Sequence, residues 1–417
     1  MADAAETELV ADLFRRESAH LLAALTRLFG PSHLALIEDV VQDALLSAMQ
    51  AWRFGLPRDP KAWILETAKN RAIDRLRRDR RLVSLPPAFD SDQTLAGTLS
   101  SALAPSEDSQ NQLAMMFSIC DQGLGQETHV TLILRLLCGL SPAEIARAFL
   151  VDTQTIDRRL HRGRARLREL GRLHDVNDPA EVLARQPSVV QAVYLLFNEG
   201  YHGSDAQNPL HPAMCADALR LAELLLESPL TARVEVHALA ALFCFNAARL
   251  PARLDGEGVY LPLAEQDRAL WDRALVERGV IHLSAASTGE VMTRWHLEAG
   301  IACEHTIAPS THETNWQRVV DLYDALHALV PGPIVALNRG LAIAELRGLD
   351  AGREALLAIA RDQKLSRYHF FWGALADIER RAGRPASARP LYERAIALAR
   401  NGAERLAYQR KLQRLDT

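Results

Sequence analysis

Residues 141–170 read SPAEIARAFLVDTQTIDRRLHRGRARLREL, and this stretch decides how the chain is organised. Ser141-Pro142-Ala143-Glu144 is a capping box with proline at the first helical position. The serine hydroxyl and the glutamate carboxylate satisfy backbone N–H groups that a helix start leaves without partners. The helix it opens places Ile145, Ala146 and Phe149 on one face. After a short turn a second helix starts at Thr153, with Ile156, Leu160, Gly163, Leu167 and Leu170 forming one buried stripe. Its other face offers Gln154, Thr155, Arg158, Arg159 and Arg162. Two helices, a tight turn and a polar, basic second helix predict a helix-turn-helix. The turn has Leu150 where glycine would most easily take a left-handed conformation, which predicts a longer or differently shaped turn.

Residues 158–170 hold six arginines and a histidine in a chain whose net charge is -4. A solvated helix face is the plain explanation; a surface built to meet phosphates is the sharper one. In a helix-turn-helix the start of the second helix faces base edges. Gln154, Thr155 and Arg158 are therefore the candidates for base reading. Arg159, Arg162, Arg164 and Arg166 are candidates for holding phosphates, which position a protein on the duplex without reading its sequence.

Charge is divided locally rather than between halves. Residues 1–172 hold 22 basic and 22 acidic side chains, which cancel. Within them, residues 53–81 carry ten Lys/Arg against four Asp/Glu, and residues 158–172 carry seven Arg against Glu169 alone. Two such segments predict two separate anionic contacts. At 417 residues the prior is two or three domains, and 48% hydrophobic residues with 24% charged describe a globular chain. No run of eighteen apolar residues appears, so no membrane span is expected. The polar, acidic start MADAAETELV lacks the features of a secretory signal, which predicts a cytoplasmic protein. The five cysteines make no C-x-x-C pair and read as small buried residues in a reducing compartment.

Helical periodicity dominates, and an all-α fold is expected. Helices are predicted over 8–29, 34–53 and from about 61 to 81, with three or four more between 107 and 170. The Ser-, Pro- and Asp-rich segment SLPPAFDSDQTLAGTLSSALAPSED predicts a linker, and GRLHDVNDPAEV a second break. One turn or short hairpin is expected at LDGEGVY, residues 254–260. Toward the end, Gly348 and Gly383 stand thirty-five residues apart between amphipathic segments. With Trp372, Leu375, Ala376, Ala388, Tyr392 and Ala395 they follow the offsets of a tetratricopeptide (TPR) repeat of helical hairpins.

The helix over 34–53 has an apolar stripe of Ile37, Val40, Val41, Ala44, Leu45, Ala48 and Trp52. Opposite it lies an acidic cluster of Glu38, Asp39, Gln42 and Asp43. The following helix buries Ile64, Ala68, Ala72, Ile73 and Leu76 and exposes Lys69, Asn70, Arg71, Arg75, Arg77, Arg78, Arg80 and Arg81. Trp52, Phe54 and Trp63 bracket the loop between the two helices. An aromatic-flanked loop beside a basic helix suits single-stranded DNA, although core packing is the preferred reading for Trp63.

IEDVVQDALLSAMQAW, PKAWILETAKNRAIDRLRRDRR and the helix-turn-helix segment, taken in order, resemble the two conserved regions of a bacterial extracytoplasmic-function (ECF) sigma factor of the sigma-70 family. The resemblance covers roughly 8–172. It implies a sigma region 2 helical bundle over 8–83, a linker over 84–105 and sigma region 4 over 106–172. The implied partners are core RNA polymerase, through the clamp of its beta-prime subunit and the flap of its beta subunit, and promoter DNA. Asp39, Gln42 and Asp43 would then dock on the clamp. The loop from Arg53 to Lys61 would pocket a flipped base of the −10 element. Asn70, Arg75, Arg77 and Arg78 would face that strand, and the second helix of region 4 would read the −35 element as duplex. AVYLLFNEGYHG, LAEQDRALWDRAL and VALNRGLAIAEL resemble the subgroup of these factors with a TPR-like extension, which implies a regulatory domain over 175–417. Taken as residues alone, Asn198, Glu199 and Gly200 of LLFNEGY read as a helix end.

No phosphate loop, nucleophile elbow, H-E-x-x-H or dinucleotide fingerprint is present, so neither an enzyme nor a cofactor is expected. His296, Cys303, His305 and His312 fit no standard zinc spacing, and no metal is expected. Two other readings compete. One is a free-standing helix-turn-helix regulator whose TPR domain senses a peptide or small ligand. The other is a scaffold whose basic helices are incidental. Only the sigma reading accounts for both basic segments, the acidic face and the linker together.

Overall fold

The computed structural model describes residues 2–52, 55–79, 108–170, 173, 176–203 and 210–415. It is helical throughout, as expected. Its β-structure, among the described residues, is a single antiparallel bridge between Leu254 and Tyr260, where the hairpin was predicted; Gly258 supplies the positive φ of 76°. The chain forms two compact units, 1–196 with 227–231, and 197–226 with 232–417.

In the first unit α1 (Ala2–Phe29), α2 (Leu34–Ala51) and α3 (Pro60–Asp79) pack on one another. Leu21, Leu25, Ile37 and Ile64 are fully buried between them. The apolar stripe of α2 is buried at Ile37, Val40, Val41, Ala44 and Ala48, while Leu45 and Trp52 are half-buried. Ile64, Ala68, Ala72 and Ile73 of α3 are buried; the side chain of Leu76 lies outside the described residues. So does the expected linker over 84–105. Next come α4 (Asp108–Ser118), α5 (Gln126–Leu132) continued by one π-turn (Ile133–Leu137), α6 (Pro142–Phe149) and α7 (Thr153–Leu170). The first part of α8 (Pro179–Tyr201) belongs to this unit as well.

The second unit is built round α10 (Val234–Ala248), whose side chains are buried on every face. A helix apolar all round has no solvent side, so other helices must cover it. α9 (Pro212–Glu227), α11 (Arg273–Ala286) and α12 (Arg294–Ile307) precede and follow it in the chain. Helical hairpins come next: α14 (Pro333–Arg347) with α15 (Leu349–Ile359), and α17 (His369–Arg381) with α18 (Pro385–Leu398). They turn at Gly348 (φ 97°) and Gly383 (φ 71°), the two glycines whose spacing marked the repeat. α13 (Trp316–Leu329) packs before them, the one-turn α16 (Gln363–Ser366) lies between them, and α19 (Gly402–Gln413) follows α18.

The helix end expected at LLFNEGY is present: α8 stops at Tyr201, one residue past Asn198-Glu199-Gly200. Gly200 is there for close approach, since a Cβ on it would lie 2.8 Å from Met214 Cβ and 2.9 Å from the Cys215 backbone nitrogen.

Candidate nucleic-acid and polymerase interface

The capping box of α6 forms as its residues predict. The Ser141 N–H donates to Glu144 Oε2 at 2.5 Å, and the Glu144 N–H donates to the Ser141 hydroxyl at 3.3 Å. Leu150 then takes the left-handed conformation itself (φ 54°, ψ 44°), and the Val151 N–H reaches back to the Ala146 carbonyl at 2.9 Å. This i→i−5 bond closes the helix as a glycine would. The turn is therefore the short one of a compact helix-turn-helix, and the expected lengthening does not occur. Asp152 caps α7 by accepting from the Thr155 N–H at 2.7 Å, and that bond holds its carboxyl below the usual range. α7 lies close on α5 because Gly163 has no side chain: a Cβ there would meet the Leu132 side chain at 2.8 Å.

With the helix so placed, its cations divide. Gln154, Arg158 and Arg162 follow one another at steps of four on an exposed face. Thr155 is half-buried beside its cap. Arg159 is buried, pairs with Glu127 and lies over the Phe149 ring, 5.0 Å from its centroid. Arg164 pairs with Glu38 of α2, and Arg166 with Asp121 at 2.6 Å. Each of these three is therefore already engaged by a carboxylate, unlike Arg158.

On α2, Asp39, Gln42 and Asp43 are all exposed and share one face. The Arg75 guanidinium stands 3.9 Å from Asp39. Asn70 and Arg75 of α3 are exposed, and Lys61 lies 3.7 Å from Glu17. Arg53, and the side chains of Arg77 and Arg78, lie outside the described residues. Trp63 meets Trp52 edge-on with centroids 5.7 Å apart, and Trp52 in turn meets Phe14 at 5.4 Å. The tryptophans form a half-buried aromatic cluster beside the loop Gly55–Asp59.

Two features escaped the sequence reading. Glu38, Asp121 and Glu127 are the carboxylates that claim three arginines of α7. The start of α8 also packs on the helix-turn-helix module. Arg185 donates to the Phe117 carbonyl at 3.1 Å, and His129 stands between the Asp121 carbonyl (2.7 Å) and the Ser188 hydroxyl (3.2 Å). Burial holds the His129 imidazole below its ordinary pKa, which fits a neutral ring in that position.

Among the described residues no group of three potential ligands could hold a metal, and no helix is long and apolar enough to cross a membrane. His296 caps α12, with the Thr293 N–H donating to its Nδ1 at 3.1 Å, and the His305 ring meets Trp316.

Family models match in chain order: Sigma-70 region 2 over residues 13–82, Sigma-70, region 4 over 123–167, and a family of unknown function (DUF6596) over 185–287. The chain belongs to the sigma-70 family: it is an RNA polymerase sigma factor with regions 2 and 4 and a C-terminal extension. It is 33% identical over 392 residues to an uncharacterised protein of Rhizobium meliloti (strain 1021), covering 92% of this chain and 90% of that one. No solved structure matches.

Proposed function

We propose that the protein is an extracytoplasmic-function sigma factor acting in the cytoplasm, and that its C-terminal extension regulates promoter opening. The observation that carries the DNA-binding role is the exposed row Gln154, Arg158 and Arg162 on a helix capped and seated as a recognition helix. In this reading Gln154, Thr155 and Arg158 read base edges of the −35 element, and Arg162 holds phosphate. Arg159, Arg164 and Arg166 also face phosphates in this reading, in competition with the carboxylates that hold them. Asp39, Gln42 and Asp43 dock on the beta-prime clamp, and region 4 meets the beta flap. The loop from Arg53 to Lys61 takes the flipped −10 base, with Asn70, Arg75, Arg77 and Arg78 along that strand. No step needs a cofactor, a metal or enzymatic chemistry. The test is run-off transcription with purified full-length protein and core polymerase. Transcripts from defined promoters are expected; duplex binding without polymerase-dependent transcripts would favour a free-standing regulator.

A regulatory role for the TPR-like extension is supported by the contacts of Arg185 and Ser188 with the region 4 module. Through them, the first helix of the extension touches the part of the chain that carries the recognition helix. Removing the residues after 196 keeps that helix segment. The shortened chain is expected to bind core polymerase and to lose most transcript yield. Equal yields from both forms at every promoter would end the regulatory reading. A protein or peptide ligand for the hairpin surface belongs to the same proposal.

A further inference from the structure

Within the second unit, three arginines gather without an ion-pair partner among the described residues. Arg249 and Arg253, one helical turn apart just after α10, converge on Tyr201 at the end of α8. The Arg249 guanidinium donates to the Tyr201 hydroxyl at 2.7 Å, and the Arg253 guanidinium lies over its ring, 3.7 Å from the centroid. Arg253 is only 8% exposed. The Nε atoms of both arginines are buried and have no hydrogen-bond partner. Arg268 donates Nη1 to the His305 and Ala308 carbonyls at 2.9 Å each, lies over Trp271, and keeps a buried Nη2 with no partner. Among the described residues no carboxylate forms an ion pair with any of the three. Arg400 shows the contrast: Glu404 sits 2.9 Å from it.

Removing a guanidinium from water without a counter-charge is costly, and a planar fork of unused donors fits the oxygens of a carboxylate or phosphate. We propose that Arg249 and Arg253, over the Tyr201 ring, form a binding site for a small oxyanion, the phosphate or carboxylate group of a small molecule, in the C-terminal extension. The donors are buried, which favours a small group over a polymer, and His202, whose Nδ1 lies 3.5 Å from the Arg253 guanidinium, is exposed to solvent beside them. The surrounding groups respond to the same field. Burial would raise the Tyr201 phenol, yet Arg249 and Arg253 outweigh it and its pKa falls below the ordinary tyrosine value. Burial, with Arg249 and Arg268 adding to it, pushes His305 down to about 4. The site does not depend on the extension being regulatory, because binding is read directly.

The experiment measures the thermal midpoint of the full chain in sodium phosphate, sodium sulfate and sodium citrate against sodium chloride at matched ionic strength. A saturable rise of roughly 5 °C is expected at a hundredfold excess of anion over its dissociation constant. Whether phosphate or citrate saturates first identifies the preferred group. Arg253→Gln and, as a less buried alternative, Arg249→Gln are expected to abolish the rise while leaving the midpoint in chloride unchanged or higher. Three results overturn the site. One is no oxyanion-specific rise in the native chain. Another is a rise that survives in both variants. The third is a tyrosinate absorbance near neutral pH that vanishes in Tyr201→Phe, which would make the phenolate itself the counter-charge.

Discussion

Leu150 takes a conformation that glycine takes freely, and it is the non-glycine residue with positive φ among the described residues. It is also 48% exposed, so little packing compensates the clash of its Cβ with the backbone. Leu150→Gly is expected to stabilise the helix-turn-helix by about 0.5–1 kcal/mol, and Leu150→Val to cost at least about 1 kcal/mol. Hydrogen exchange of the amides in α6 and α7 reads both changes; slower exchange in the valine variant would contradict the account. The arginines of α7 separate at the same scale. Arg158→Ala is expected to relax preference at one base position by roughly 1–3 kcal/mol, and Arg162→Ala to weaken all duplexes evenly and flatten the salt dependence. Fluorescence anisotropy over a panel of promoter variants distinguishes them, and identical profiles would remove the division of roles.

At the scale of one helix, the two faces of α2 differ. Its apolar face holds the three-helix bundle, while Asp39, Gln42 and Asp43 are exposed and touch the bundle only through the surface pair of Asp39 with Arg75 of α3. Asp39→Arg with Asp43→Arg is therefore expected to leave folding intact while placing like charge against the basic surface proposed as its partner. Core polymerase binding should weaken by several kcal/mol, measured by native gel or titration at fixed salt. Unchanged affinity in a well-folded double variant would show that the polymerase meets another face. Most of this helix was legible in the sequence, because a stripe at steps of three and four is a local property. Glu38 was not: it has the same spacing as its acidic neighbours, but Arg164 claims it from 126 residues away.

At the scale of the molecule, the end of the chain is locked by buried charge that titrates. Glu404 is buried; burial would raise its carboxyl, but His369 and Arg400 outweigh this and hold it at about 2, against an ordinary 4.5. A folded pKa below the unfolded one means that the unfolded chain takes up the proton first. The stability from ionised Glu404 is thus complete above about 4.5 and is lost as pH falls toward about 2. His369, lowered by burial, acts in the same direction: its neutral form is favoured on folding, and that contribution fades as pH falls below the ordinary 6.5. Urea midpoints of the native chain are expected to fall steeply over this acid range. Glu404→Gln should be roughly 1–3 kcal/mol less stable at pH 7 and less sensitive to acid. Equal acid slopes in the two proteins would show that other carboxylates carry the effect.

The sequence by itself determined what depends on neighbours along the chain. The capping box at Ser141, the stripes of α2 and α7, the turn glycines Gly348 and Gly383 and the order of the two basic segments are all local patterns, and they sufficed for an all-helical chain with a helix-turn-helix and helical hairpins; the sigma factor came from the resemblance of those segments to its conserved regions. Periodicity could say which face of α7 is polar. It could not say which arginines on that face are free, because Glu127, Asp121 and Glu38 stand 32, 45 and 126 residues from their partners. The same holds for Gly200: the helix end beside it is legible in the sequence, but the close passage of Met214 and Cys215 is not. It holds again for Arg249 and Arg253, which as a sequence are an ordinary pair one turn apart and become notable only when Tyr201, some fifty residues earlier, lies between them. Helix formation is settled within a few residues by hydrogen bonds and side-chain spacing. The charge balance of a buried or paired group is settled by whatever the tertiary fold brings within a few ångströms, and that is absent from any local pattern.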